Sequence, residues 1–317
     1  PEIKINRSSQ LQVNDKHSLH VKESGSEAAY PALVLHDGPG TGSEAYHRRL
    51  FDAERFRVMQ YDQRGCGLSL PFAESQEDTL ADSVSDADAV LEYFGVSKTI
   101  LVGFGWGARV AVEYARAFPD KVSALVLCGY GYTSKASVNW LFGGGAKDLF
   151  PDEWQNLAKE LHCEKPENLL AELVQRMSDA NEFVQIQTAK AWATWFAKIN
   201  SFHVHSRLVE RFTHPHCAVT LAKLGASFFQ TLSQVEDNQV MPELAANDLP
   251  GIIVHGRYDA VCPLAHSFEL HQNWPCSELI IVRDAGHSVY DPAMSDAVLR
   301  VIGKLADRLD GIDKLNG

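Results

Sequence analysis

Two titratable side chains near the end of the chain follow strand-length apolar runs. Gly251-Ile-Ile-Val-His255 leads into Asp259, and Glu278-Leu-Ile-Ile-Val282 leads into His287. An aspartate that braces a histidine fixes its tautomer, and the imidazole can then move a proton to or from whatever stands opposite. The partner should lie upstream, in Thr99–Arg109. There Ile100, Leu101 and Val102 run into Gly103-Phe-Gly-Trp-Gly107, and Val110, Ala111, Tyr114 and Ala115 continue at helical spacing. A strand, a tight turn and a helix of this kind form a nucleophile elbow, G-x-S-x-G, in strained backbone that small neighbours permit. The position that should carry the serine is Gly105, which has no side chain. The expected oxyanion hole is made of backbone N–H groups, those of Trp106 and of Gly38 in the glycine-rich loop Asp37-Gly-Pro-Gly-Thr-Gly42.

The elements that must position these groups alternate. A short antiparallel pair is expected at Leu11–Val13 and Leu19–Lys22, then strands at 31–36 and 56–61, a helix over 79–95, the elbow strand and helix, and a strand at 122–128. This order predicts a mostly parallel sheet with helices on both faces, its ligand beyond the carboxyl ends of the strands. From about Ser134 to Pro242 strand-like runs stop and helical spacing takes over, with helices expected at 189–200 and 215–232. Strands then return, and a helix near 295–309 closes the chain. The reading is a core of residues 1–134 and 243–317 with a helical cap, 135–242, over the active-site edge. The elbow–acid–histidine order assigns the α/β-hydrolase fold.

The bulk properties narrow the partners. The chain has 317 residues and a net charge of −12, which repels nucleic acid and anionic membranes, so a small-molecule substrate is expected, with neither of those as partner. A monomer or small homo-oligomer is expected. The six cysteines form no C-x-x-C pair, which fits reduced thiols in a cytoplasm. His214-Pro-His216-Cys217 reads as a constrained surface turn, so no metal is expected. The opening segment does not read as a signal peptide, and no apolar run reaches membrane-spanning length. The loop after His36 lacks G-x-G-x-x-G spacing, and no cofactor is expected.

The chain resembles the prolyl aminopeptidases (proline iminopeptidases) from about Pro31 to Val298. His36-Asp-Gly-Pro-Gly40 is similar to that family's H-G-G-P-G, with Asp37 in place of a glycine. Asp62-Gln-Arg-Gly-Cys-Gly-Leu-Ser69 resembles D-Q-R-G-C-G-R-S, and Gly103–Gly107 resembles G-G-S-W-G. Phe150-Pro-Asp-Glu-Trp154, His255–Cys262 and Ala285-Gly-His-Ser288 also resemble family signatures. The resemblance implies a serine nucleophile at position 105 and two cap glutamates that bind the substrate's free amine. Here Trp192-Ala-Thr-Trp195 is followed by Phe196, and Ala222-Lys-Leu224 by Gly225. Burying an ammonium without those carboxylates costs several kcal/mol. The expected pocket, formed by Asp37, Phe104, Trp195, Phe196 and Gly225, suits something larger, flatter and less cationic than an N-terminal proline.

Three functions are compatible with Gly105. One is a hydrolase for a small non-cationic amide, ester or lactone that has lost its serine, by engineering or by natural divergence, and keeps the His287–Asp259 dyad as general base. Another is a serine-independent lyase, isomerase or cofactor-free oxygenase that uses the dyad to deprotonate its substrate. The last is a catalytically silent ligand-binding homologue.

Overall fold

The computed structural model describes residues 3–75, 79–236 and 248–316. Its eight-stranded sheet has the order β1-β2-β4-β3-β5-β6-β7-β8. The first two strands, β1 (Ile5–Gln12) and β2 (Ser18–Gly25), pair antiparallel, and β2 pairs antiparallel with β4 (Phe56–Tyr61). From there β3 (Tyr30–Leu35), β5 (Thr99–Phe104), β6 (Val122–Cys128), β7 (Gly251–Gly256) and β8 (Ser277–Val282) run parallel. The carboxyl ends of β3, β5, β7 and β8 therefore open on one edge.

The central strands read as continuous apolar runs because helices cover both faces. Alternate side chains divide between two cores, as a two-residue repeat requires. Leu33, Leu35, Leu101, Leu125, Leu127 and Ile253 pack towards α2 (Leu80–Tyr93) and α3 (Trp106–Ala117). Ala32, Val34, Ile100, Val102, Ala124, Val126 and Val254 pack towards α12 (Pro292–Asn316). Helix α2 starts at a capping box: the Thr79 hydroxyl accepts from the Asp82 amide, and the Asp82 carboxylate accepts from the Thr79 amide.

A helical block interrupts the sheet between β6 and β7. It contains α4 (Lys135–Val138), α5 (Gly145–Leu149), α6 (Pro151–Glu160), α7 (Leu169–Met177), α8 (Glu182–Ile199), α9 (Ser206–Thr213) and α10 (Pro215–Leu232). The expected cap boundary at residue 242 lies outside the described residues. Helix α8 carries the block's core, in which Phe142, Trp192, Phe196 and Phe212 form a run of stacked rings.

Candidate active site

Gly105 stands at the tip of β5 and begins α3, with φ +48° and ψ −110°, a conformation that L side chains rarely adopt. Its amide donates to the Cys128 carbonyl at 2.8 Å, which fixes the turn against β6. Gly107 lets α3 approach β3: a Cβ there would lie 2.1 Å from the Leu35 carbonyl oxygen.

Asp259 and His287 meet across the ends of β7 and β8. Asp259 Oδ2 lies 2.7 Å from His287 Nδ1, while Oδ1 accepts from the amides of Val261 at 2.9 Å and Cys262 at 2.7 Å. Both carboxylate oxygens are therefore held, and the ring is oriented with Nε2 towards Gly105. The loop carrying His287 is pinned from two sides: Gly286 donates to Asp291 Oδ2 at 2.7 Å, and Ser288 donates its amide to the cap carbonyl of Asn200 at 2.8 Å.

The space in front of that imidazole is filled. The Asp37 carboxylate, carried on the loop after β3, lies over the elbow. Its Oδ1 accepts the Trp106 amide at 3.1 Å, and its Oδ2 is 3.1 Å from His287 Nε2. A Cβ built on Gly105 would fall 1.8 Å from Asp37 Oδ1 and 2.7 Å from His287 Nε2. Asp37 thus occupies the volume an elbow side chain would take, and the result is a line of three groups, Asp259–His287–Asp37. Of the two amides expected in the oxyanion hole, that of Trp106 is satisfied by Asp37. Gly38 follows in the same loop with φ +138°.

The electrostatics follow from this line. Burial pulls the His287 pKa down, but Asp259 first and Asp37 second outweigh it and hold the imidazole well above its ordinary value. The imidazole thus sits between two carboxylate side chains that both favour its charged form.

Buried polar links hold the loop under Asp37. Gln63 donates its amide to His36 Nε2 at 3.0 Å, so Nδ1 carries the ring proton and donates to the Asp37 carbonyl at 2.7 Å. The Thr41 hydroxyl donates to the same carbonyl. The Gln63 side chain donates to the His36 carbonyl at 3.0 Å and accepts from Trp106 Nε1 at 2.7 Å, tying loop to elbow. Burial lowers the His36 pKa to about 4, so this histidine stays neutral.

The remaining pocket expectations divide. Asp37 and Phe104 line the cleft around Gly105 and His287. Trp195, Phe196 and Gly225 are not among its lining residues. Trp195 borders a separate groove between α6 and α8, Phe196 is buried between Trp192 and Phe212 in the ring stack, and Gly225 faces Phe229 on α10. The physical reason is solvation. The Phe196 ring gains most by joining the cap core, and Phe212 is the cap ring that reaches the cleft. Sequence reasoning missed Glu44, Asn200 and Arg211 in the lining. Arg211 on α9 reaches Glu44 Oε2 at 2.9 Å and the Thr41 carbonyl at 2.6 Å. Its signal in sequence is weak, one arginine on an amphipathic helix.

A strand-end acid–histidine pair facing a tight strand-to-helix turn under a helical block defines an α/β-hydrolase, and a family model described as alpha/beta hydrolase fold matches residues 31–293. Curated relatives narrow the class. The chain is 32% identical to a proline iminopeptidase of Xanthomonas citri, over 95% of this chain and 96% of the relative. It is 31% identical to a proline iminopeptidase of Xylella fastidiosa, over 94% and 96%. The chain belongs to the proline iminopeptidase family of α/β-hydrolases. Among solved structures, a proline iminopeptidase-related protein from Thermus thermophilus matches with TM-score 0.66 at 21% identity, over 96% of this chain and 99% of that one. An esterase from Exiguobacterium antarcticum matches with TM-score 0.67 at 18% identity, over 95% and 100%. These two likenesses bear on fold alone. Among the described residues no group of histidine, cysteine or carboxylate side chains could hold a metal, and no helix is long and apolar enough to cross a membrane.

Proposed function

We propose that this family member is a serine-independent enzyme that moves protons on a small, non-cationic, carbonyl-bearing substrate, with the Asp259–His287 pair at its centre. The observation that carries the reading is the braced imidazole: its Nε2 faces an elbow where Gly105 offers no hydroxyl. Acyl transfer from a serine would need a nucleophile at position 105 and a free Trp106 amide to bind the developing oxyanion. The first is a glycine, and the second is engaged by Asp37. This favours the isomerase or lyase class over hydrolysis of an amide, ester or lactone. It also favours Gly105 as the natural counterpart of Asp37 over a single engineered replacement, because a side chain at 105 would collide with that carboxylate.

The cap supports a non-cationic substrate. The resemblance implies amine-binding carboxylates at positions 196 and 225, which are Phe and Gly here; the cleft receives the Phe212 ring from the cap, and its Glu44 carboxylate is already paired with Arg211. The test is turnover of a panel of small ketones, β-keto esters, lactones and p-nitrophenyl esters, followed by mass spectrometry in the parent and in His287→Ala. Loss of a parent activity by a factor of about 10² or more in His287→Ala is expected for removal of a proton-transfer group. Turnover that is unchanged in that variant overturns the reading, as would efficient cleavage of proline β-naphthylamide.

A further inference from the structure

We propose that Asp37 is the base of this enzyme and His287 its acid, acting together on an α-C–H and the adjoining carbonyl oxygen of one substrate. The inference rests on the proton-transfer reading above and assigns its roles in the opposite sense to the one the elbow motif suggests.

The geometry points this way in three respects. Asp37 Oδ2 and His287 Nε2 stand side by side, 3.1 Å apart, at the tip of β5. Standard bond lengths put an α-carbon and its carbonyl oxygen roughly 2.4 Å apart, so one acceptor and one donor at this spacing can address both atoms together. The second oxygen of Asp37 is anchored by the Trp106 amide at 3.1 Å, and its carbonyl is held by His36 and Thr41, so the carboxylate is fixed before any substrate arrives. The rest of the line supplies charge: Asp259 lies behind the imidazole at 2.7 Å and stabilises its protonated form.

The step balances without a co-reactant. The Oδ2 lone pair of Asp37 takes the α proton. The C–H electron pair becomes the C=C bond of an enol as the carbonyl π pair moves onto oxygen, and that oxygen takes the Nε2 proton of His287. The enzyme then holds protonated Asp37 and neutral His287, and the proton returns across the same contact to reset the pair. The substrate class is a carbonyl compound with an acidic α-hydrogen, and the reaction class is enolisation, leading to isomerisation or to loss of a β-substituent.

The experiment is proton NMR of α-hydrogen wash-out in D2O with acetylacetone, ethyl acetoacetate and dihydroxyacetone as probes. The parent protein is expected to accelerate exchange of at least one probe above the buffer rate. Asp37→Asn, which keeps size and the Trp106 hydrogen bond, should lower that rate by about 10²–10⁴-fold, and His287→Gln should lower it comparably. Asp37→Gly, carrying the family's own residue, guards against a folding defect in the first variant, and added acetate should restore part of its exchange. Exchange within tenfold of the parent in Asp37→Asn, with His287→Gln inactive, overturns the role of Asp37 and leaves the proton-transfer reading standing. Exchange indifferent to both substitutions, or no acceleration of any probe by the parent, overturns both.

Discussion

The two halves of the site differ in how far they depart from the family they belong to. The half built on β7 and β8, with Asp259 and His287, follows the motifs that the chain resembles. The half built on β3 and β5 departs from the resembled motifs at both of its central residues: Asp37 stands where the resemblance implies glycine, and Gly105 where it implies serine. The two exchanges meet at one point, because the Asp37 carboxylate fills the space a side chain at 105 would need. Under the roles proposed above, the reactive oxygen is carried on the loop after β3 instead of at the elbow, and it faces the same imidazole. The proton-handling half of this fold can thus be separated from the half that decides what the proton is exchanged with.

The sharpest way to break this comparison is to reverse the exchange. Gly105→Ser alone should yield no esterase, since its Cβ would fall 1.8 Å from Asp37 Oδ1 and the left-handed backbone at 105 adds strain. Asp37→Gly combined with Gly105→Ser clears the elbow and frees the Trp106 amide. Hydrolysis of p-nitrophenyl acetate by the double variant should exceed that of either single variant by about 10³-fold, the scale of a working triad and oxyanion hole. Equal rates in the single Gly105→Ser and the double variant would show that the two exchanged positions act independently.

A smaller effect separates the two buried histidines. His36, in the exchanged half, is held neutral with its pKa near 4, whereas an unfolded histidine titrates near 6.5. The unfolded chain therefore takes up a proton that the fold refuses, and stability should fall by roughly 3 kcal/mol as pH drops from about 6.5 to 4. His287, in the retained half, has its pKa raised by Asp259 and Asp37 against the pull of burial. Its contribution is fully present below pH 6.5 and is lost as pH rises through the folded value. Urea midpoints measured across pH should show both limbs, and Asp37→Asn should weaken the alkaline limb far more than it changes the acid one, because Asp37 is the least of the charges acting on His36. An unchanged alkaline limb would mean that Asp37 does not share the imidazole's charge.

Much of the scaffold was legible because parallel strands buried on both faces appear as uninterrupted apolar runs. The runs at Phe56–Tyr61 and Val122–Cys128 coincide with β4 and β6. The edge strand β1 was read only from Leu11, whereas it begins at Ile5, because most of its side chains face solvent and the alternation is faint. The last helix runs from Pro292 to Asn316, beyond the expected 295–309 at both ends. The relation of Asp259 to His287 could be read from their order after the elbow. That of Asp37 to His287 could not, since they lie 250 residues apart and only the fold brings them together. The one available hint was that two motifs departed from their family at once, one gaining a polar side chain and the other losing one. In the cap, sequence gives an aromatic residue's type but not which side of its helix packs inwards, and so Phe196 was assigned to the cleft although it is buried in the ring stack.

The smallest expected effect concerns how the cap holds each half. The loop carrying His287 is tied to the cap through main chain, Ser288 N–H to the Asn200 carbonyl, a link no side-chain replacement removes, beside the Phe202 amide on Asp291 and Trp140 Nε1 on the Ala260 carbonyl. The exchanged half is tied by side chains: Arg211 joins Glu44 and the Thr41 carbonyl, and the Thr220 hydroxyl donates to the Gly40 carbonyl at 2.7 Å, within the loop that carries Asp37. Arg211→Met keeps most of the apolar stem and deletes the guanidinium, leaving Glu44 with its Tyr290 hydrogen bond at 2.8 Å. Both charged groups keep some exposure, so a loss of about 1–2 kcal/mol in urea denaturation is expected, below the 3–5 kcal/mol typical of a fully buried pair. The informative readout is amide hydrogen exchange. Protection should fall in the loop from Asp37 to Gly42 and stay unchanged around Ser288, because only the first depends on the missing side chain. Equal loosening of both loops would show that the cap holds the site as a single unit, and the difference between its halves would then be one of chemistry alone.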